Sequence, residues 1–220
     1  MTKKLSVALA FFFCTLSGNA QFYLEPIAGY ALDVNNSNGF KMFNTALQFA
    51  YKQNKHSEIF VRLQLCSPLS NHKSVDSSFT TDQSLPLYSP ARKTIKPSMF
   101  TAAFGNRIRL NGSNKRYVIS IMFFGGYSNQ KIKVSYEYDR KNYTILNPDK
   151  TMEKDGFFLG GGFEYMRIIG NGRLLFQMNI SSVPITEQTK NYPNSFHDFM
   201  TPIAFNLGYS IPLKTGKHEN

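Results

Sequence analysis

From Ile203 to Ile211 every second residue is large and apolar (Ile203, Phe205, Leu207, Tyr209, Ile211), and Ala204, Asn206, Gly208 and Ser210 stand between them. A repeat of two belongs to an extended strand, whose side chains leave alternately on opposite faces, and not to a helix, whose repeat is 3.6. The same pattern recurs along the chain. Phe22, Leu24, Pro26, Ala28 and Tyr30 alternate with Tyr23, Glu25, Ile27 and Gly29, and Phe43, Leu47, Phe49 and Tyr51 alternate with Asn44, Ala46, Gln48 and Ala50. Ile59, Val61, Leu63 and Leu65 face away from Phe60, Arg62, Gln64 and Cys66, as Phe100, Ala102, Phe104, Ile108 and Leu110 do from Thr101, Ala103, Gly105, Arg107 and Arg109. Tyr117 to Phe123, Phe157 to Tyr165 and Leu174 to Ile180 complete a set of about eight strands, an even number. The chain is therefore expected to be all-β, an antiparallel up-and-down barrel.

A chain of 220 residues suits one sizeable domain, and 42% hydrophobic against 18% charged residues is incompatible with disorder as its main state. Lys3 and Lys4 precede an uncharged run from Leu5 to Leu16, followed by Ser17, Gly18, Asn19 and Ala20. This reads as a secretory signal peptide over residues 1–20, cleaved before Gln21. Phe11, Phe12 and Phe13 before Cys14 are too large for lipid attachment at that cysteine. The net charge of +11 becomes 11 minus 2, or +9, once the two leader lysines are gone. Cys66 is then the sole mature cysteine, which rules out an internal disulfide and a cysteine-based metal cluster. No later segment has the 18 or so consecutive apolar residues of a membrane helix, so any crossing must be made by strands.

Connections alternate in length. Short turn-like links are expected at Lys52–Ser57, Asn111–Lys115 and Gly170–Gly172. Long polar ones are expected at Asp33–Gly39, Pro68–Lys96, Asn129–Asp155 and Pro184–Thr201. Such asymmetry suits a membrane barrel with both termini on one side. Within the third long stretch, Lys131–Tyr138 alternates again and is expected to carry a hairpin beyond the membrane. Gly29, Gly126, Gly162 and Gly208 each precede an aromatic residue, where bare backbone could receive a ring. Gly160-Gly161-Gly162 lacks the Lys and Ser or Thr of a phosphate loop and is read as a bend or bulge.

The less apolar faces carry Glu25, Asn44, Gln48, Arg62, Gln64, Arg107, Arg109, Glu164, Gln177, Asn179 and Asn206. A soluble ligand-binding barrel would turn these to water, whereas a membrane barrel would turn them inward. Export, polar loops gathered at one end and aromatics near strand ends favour the membrane. Asn206-Leu207-Gly208-Tyr209-Ser210-Ile211 resembles the assembly signal of outer-membrane barrels, which reads polar, any, Gly, aromatic, any, hydrophobic. The signal usually ends the chain, and here Pro212–Asn220 continue past it. Together with the leader and the loop rhythm, residues 21–213 resemble the small OmpA/OmpX-like outer-membrane β-barrels, with 214–220 a short periplasmic tail. The resemblance implies residence in the outer membrane, recognition of Asn206, Gly208, Tyr209 and Ile211 by the barrel-assembly machinery, and no catalytic motif.

In a barrel of this size side chains fill the interior, so Glu25, Arg62, Gln64, Arg107, Arg109, Glu164 and Gln177 are expected to form a paired polar core rather than line a pore. Lys73, Arg92, Lys93, Lys96, Lys131, Lys133, Arg140 and Lys141 lie in the long polar stretches, where they are expected to meet the phosphates of lipopolysaccharide. Export argues against nucleic acid as the partner of this charge. His197-Asp198, with Ser195 beside them, is the one cluster fit for a lipid-modifying rim enzyme, but neighbours on an extended segment point apart. The expected function is a structural or interaction role through the outer loops, toward membrane lipid, lipopolysaccharide or an unidentified protein, with no cofactor. Small-solute or lipid transport is the second reading. Rim catalysis and a soluble periplasmic barrel are the remaining ones.

Overall fold

A computed structural model of the chain describes residues 21–33, 41–69, 72–111, 116–146, 149–184 and 199–213. The strands are β1 (Gln21–Asp33), β2 (Lys41–Lys52), β3 (Ser57–Pro68), β4 (His72–Phe79), β5 (Tyr88–Arg109), β6 (Tyr117–Glu137), β7 (Lys150–Ile169), β8 (Gly172–Pro184), β9 (Phe199–Met200) and β10 (Pro202–Leu213). Among the described residues there is no helix. Every pairing is antiparallel, in the order β10-β1-β2-β3-β5-β6-β7-β8, and β8 pairs with β10 to close the ring. The result is an eight-stranded barrel to which β4 and β9 are additions.

Closure leaves no sheet edge in the ring, and only such a structure can place strands in hydrocarbon with every backbone group bonded. The apolar half of each alternation faces outward. Phe49, Val61, Leu63, Leu65, Phe104, Phe123, Phe163, Phe176, Ile180 and Leu207 are all exposed. Glu25, Gln48, Arg62, Arg107, Glu164 and Gln177 are buried inside. Phe60, Met122, Phe124 and Leu175 share that interior, so what departs from a soluble barrel is the outer face, which is apolar where a soluble one is polar.

The start of β1 and the end of β10 lie at the end with the short links: Gln21 pairs with Lys52, Phe22 with Leu213, and Ile169 with Gly172 across a two-residue turn at whose first position Gly170 takes φ +58°. At the other end the long stretches depart from expectation. Much of Pro68–Lys96 and Asn129–Asp155 is strand, because β5, β6 and β7 run on for 22, 21 and 20 residues where β1, β2, β3, β8 and β10 have 12 or 13. A membrane crossing takes about 9 to 11 residues, so the upper halves of these three strands stand in water. The medium changes and the phase of the alternation inverts with it. From Phe100 to Ile108 the outward residues of β5 are apolar except Asn106, and above Phe100 they are Ser98, Lys96, Thr94 and Arg92. The inward residues here, Ala91, Ile95, Ile132, Val134 and Tyr136, are apolar and continue the buried cluster of Met99, Phe124 and Phe158, with Tyr138 and Ile145 packed against it. Register aligns the crossover, since Ala102, Tyr127 and Phe157 form one row and Phe100, Asn129 and Asp155 the next. This is the outer boundary of the lipid.

β4 pairs with β5 above that boundary, and its last residue Phe79 exchanges backbone bonds with Thr144 of the β6–β7 connection. β4 and the β6–β7 connection are therefore tied together above the boundary. Lys131–Tyr138 does extend a hairpin as its alternation suggests.

Gly160-Gly161-Gly162 forms no bulge, for the pairing of β7 runs unbroken through it on both sides. Gly160 is there because a Cβ would lie 2.5 Å from the inward ring of Phe124, and Gly105 because one would lie 2.5 Å from the ring of Phe60. The four glycines that precede aromatics receive neighbouring backbone instead of rings: at Gly208, for instance, a Cβ would stand 2.8 Å from the Pro26 carbonyl oxygen.

Candidate functional site: a sealed lumen and an outer basic face

Alternation places Glu25 (β1), Glu58 (β3), Arg107 (β5) and Glu164 (β7) on the inner face, and closure of the ring brings them together in the half nearer the termini. Arg107 is fully buried at the centre. Its Nη2 donates to Glu25 at 2.8 Å and to Glu164 at 2.9 Å, its Nη1 donates to Glu58 at 2.7 Å, and its Nε lies 2.6 Å from Glu164. Arg109 donates to Glu58 as well, and Arg173 reaches the same carboxylate at 3.0 Å. Above this knot Arg62 donates to Gln48 at 2.7 Å and to Gln177 at 3.0 Å, and Gln177 donates to Glu164 at 2.6 Å. The Arg62 guanidinium also sits over the rings of Phe60 and Phe124, 5.3 and 5.5 Å from their centroids.

Three arginines, Arg107, Arg109 and Arg173, thus meet three glutamates in a space with almost no access to solvent, and the fourth, Arg62, is bonded to the glutamines above them. Charges stripped of water at this depth are tolerable only when fully paired, and pairing converts them into a cross-link among strands far apart in sequence. Chemically the cluster is a plug: each carboxylate is saturated by cations and none is left for substrate. Above it Gln64, Cys66, Met99, Thr101, Phe158, Asn179 and Ala204 are among the residues that line a cavity of about 30 Å³, room for a few waters and no organic ligand.

Of the seven residues expected in the polar core, six join this buried assembly. Gln64 does not: it is half-buried, donates to Cys66 Sγ at 3.2 Å and borders the cavity. Glu58 and Arg173 were missed. Both immediately follow turns, where the sequence reading ended its strands one or two residues short. Extending the period of two from Phe60 and Arg62 back to Glu58, and from Leu175 and Gln177 back to Arg173, is the signal that finds them.

The outer basic residues divide. Arg92 is exposed and lies 3.6 Å from Glu137, and Lys131 is exposed and lies 2.5 Å from Glu153. Lys133 is also exposed on the outward face. Lys93 turns inward instead, 8% exposed, with its ammonium 6.0 Å from the Tyr136 ring centroid, because the odd positions of β5 face the core of the extension. It is not available to a surface ligand. Arg140 binds Asp149 at 2.9 Å. The Tyr136 backbone N–H, with Arg140 beside it, holds the Asp149 carboxyl below the usual carboxylate range. Lys141 is exposed in the connecting turn, where its backbone N–H donates to Asp139. Lys73 pairs in register with Thr94.

Along β10, the strand that carries the assembly-signal residues, Asn206 is buried, while Tyr209 and Ile211 face outward and the Tyr209 hydroxyl donates to the Ile169 carbonyl at 3.2 Å. Residues 1–20, Ser195, His197, Asp198 and 214–220 lie outside the described residues. Among the described residues no group of His, Cys, Asp and Glu could hold a metal ion.

No protein-family model and no curated protein matches the sequence. Solved structures do match in fold. Neisserial surface protein A is 11% identical with a TM-score of 0.55, over 88% of this chain and 99% of that one. A major outer membrane protein from Thermus thermophilus is 11% identical with a TM-score of 0.56, over 89% of this chain and 100% of that one. The closed ring, with an apolar girdle outside and a charged knot sealed inside, has the architecture of an integral outer-membrane β-barrel. Within that class the architecture is that of the small, OmpA/OmpX-like barrels.

Proposed function

We propose that the protein is a non-catalytic interaction barrel, which stabilises the envelope and presents its β4–β7 extension outside the membrane. The observation that carries this reading is the buried Arg107 knot, which fills the lumen and leaves the outer surface as the place for recognition. The reconstituted protein is expected to show no porin-range conductance in planar bilayers and no liposome swelling with small sugars. Steady conductance in that range would replace this reading with transport.

The inversion of phase at Phe100, Tyr127 and Phe157 favours a second element, contact with lipopolysaccharide. Lys131, Lys133 and Arg92 stand outward at successively greater heights above the girdle, facing the phosphate-bearing layer of the outer leaflet. Purified lipopolysaccharide is expected to bind the folded protein with an affinity that falls as salt rises; binding indifferent to salt would reject an electrostatic contact. An unidentified protein on the extension is the competing occupant. Asn206, Gly208, Tyr209 and Ile211 are proposed to serve earlier, as the segment read by the barrel-assembly machinery.

A further inference from the structure

Lys96 and Lys133 stand directly opposite each other on β5 and β6, and the next residue in the same row, on β7, is Thr151. All three are exposed on the outward face. Like charges directly opposite in a sheet are unfavourable, and the surrounding rows avoid the conflict. The row below has Lys131 against Glu153, and the second row above has Arg92 against Glu137. Among the described residues neither Lys96 nor Lys133 makes an ion pair, and the nearby Asp149, whose carboxyl feels Lys133, is already held by Arg140.

We propose that Lys96, Lys133 and Thr151 form a site for a phosphate group on the sugar portion of lipopolysaccharide. This rests on the reading that the outer face touches that lipid. Opposed side chains in a sheet begin about 5 Å apart, so two ammonium groups can converge on one phosphate while the threonine hydroxyl donates to a third oxygen. Height selects the source. Lys96 is four residues above Phe100 and Lys133 four above Asn129, the row partner of Phe100, which is about 13 Å along the strands, or about 10 Å above the girdle at ordinary barrel tilt. A phospholipid headgroup layer is only about 5 to 7 Å thick. The row therefore lies above glycerophosphate and level with phosphates carried on sugars.

The test is native mass spectrometry of the folded protein in zwitterionic detergent, titrated with rough lipopolysaccharide whose inner core is phosphorylated. Parallel arms use the same material stripped of phosphate and phosphatidylglycerol. The double variant Lys96→Gln/Lys133→Gln is expected to bind the phosphorylated material about tenfold or more weaker than wild type, as the loss of two charge-assisted contacts requires. Lys131→Gln, whose ammonium Glu153 already holds, is expected to lose less than about threefold. Lys96→Arg/Lys133→Arg should retain binding, and gel mobility before and after heating verifies that each variant is folded. Undiminished binding by the glutamine variant, beside a wild type that binds, overturns the site and spares the broader lipopolysaccharide reading. A wild type that binds no lipopolysaccharide overturns both. Equal binding of the dephosphorylated material, or an equal effect of the substitutions on phosphatidylglycerol, overturns the sugar-borne phosphate.

Discussion

Arg107→Ala is expected to destabilise the barrel by about 3 to 5 kcal/mol, read as a shift of the urea midpoint in detergent or as failure to refold. The size follows from what is left behind. Glu58 keeps Arg109 and Arg173, but Glu25 and Glu164 lose every arginine bonded to them and remain in a closed interior with Gln48 and Gln177 as donors. An unpaired buried charge costs far more than an intact pair contributes, so the remedy is to remove the charges together. Arg107→Met with Glu25→Gln and Glu164→Gln should recover most of the loss. If Arg107→Ala unfolds at the wild-type urea concentration, the lumen is wet and the plug is not one.

Leu207→Arg carries the second large effect and addresses the outer surface. Leu207 lies midway along the outward face of β10, between Ala28 of β1 and Phe176 of β8, and it is 59% exposed. In water an exposed leucine accepts a charge within about 0.5 kcal/mol. At the midplane of a bilayer the same substitution in a barrel costs about 2 to 4 kcal/mol, because the guanidinium must be carried into hydrocarbon. Unfolding in lipid vesicles should report that loss, and Lys96→Glu, above the boundary row, should change stability much less. An indifferent Leu207→Arg would mean that water and not lipid touches this face.

Strand identity was legible because a barrel wall separates two media, and every inward or outward position is then under selection for one of them. Ile203 to Ile211 and Leu174 to Ile180 point as their alternation requires. The extension was harder to read. Its inner residues Ala91, Ile95, Ile132 and Val134 are as apolar as any strand's, but the outer ones, Lys96, Lys131, Lys133 and Glu137, resemble loop composition. A strand with water outside and a core inside has the polarity of a soluble sheet, and reading the whole chain in one phase hides it. The glycine triplet misled for a related reason: nothing local to Gly160 reveals that Phe124 of the adjacent strand lies over it.

The sequence by itself determined the period, the count of strands and the two faces of each, since these depend on backbone geometry and on the solubility of side chains one at a time. Only the tertiary structure decided which inward charges meet. Glu25, Glu58, Arg107 and Glu164 come from four strands separated by as many as 139 positions, 164 minus 25. Their convergence depends on the register and closure of the ring, and no local pattern encodes a distance across a barrel. The opposition of Lys96 and Lys133 is of the same kind, a consequence of how β5 slides against β6, and register is set by all the pairs of the ladder at once.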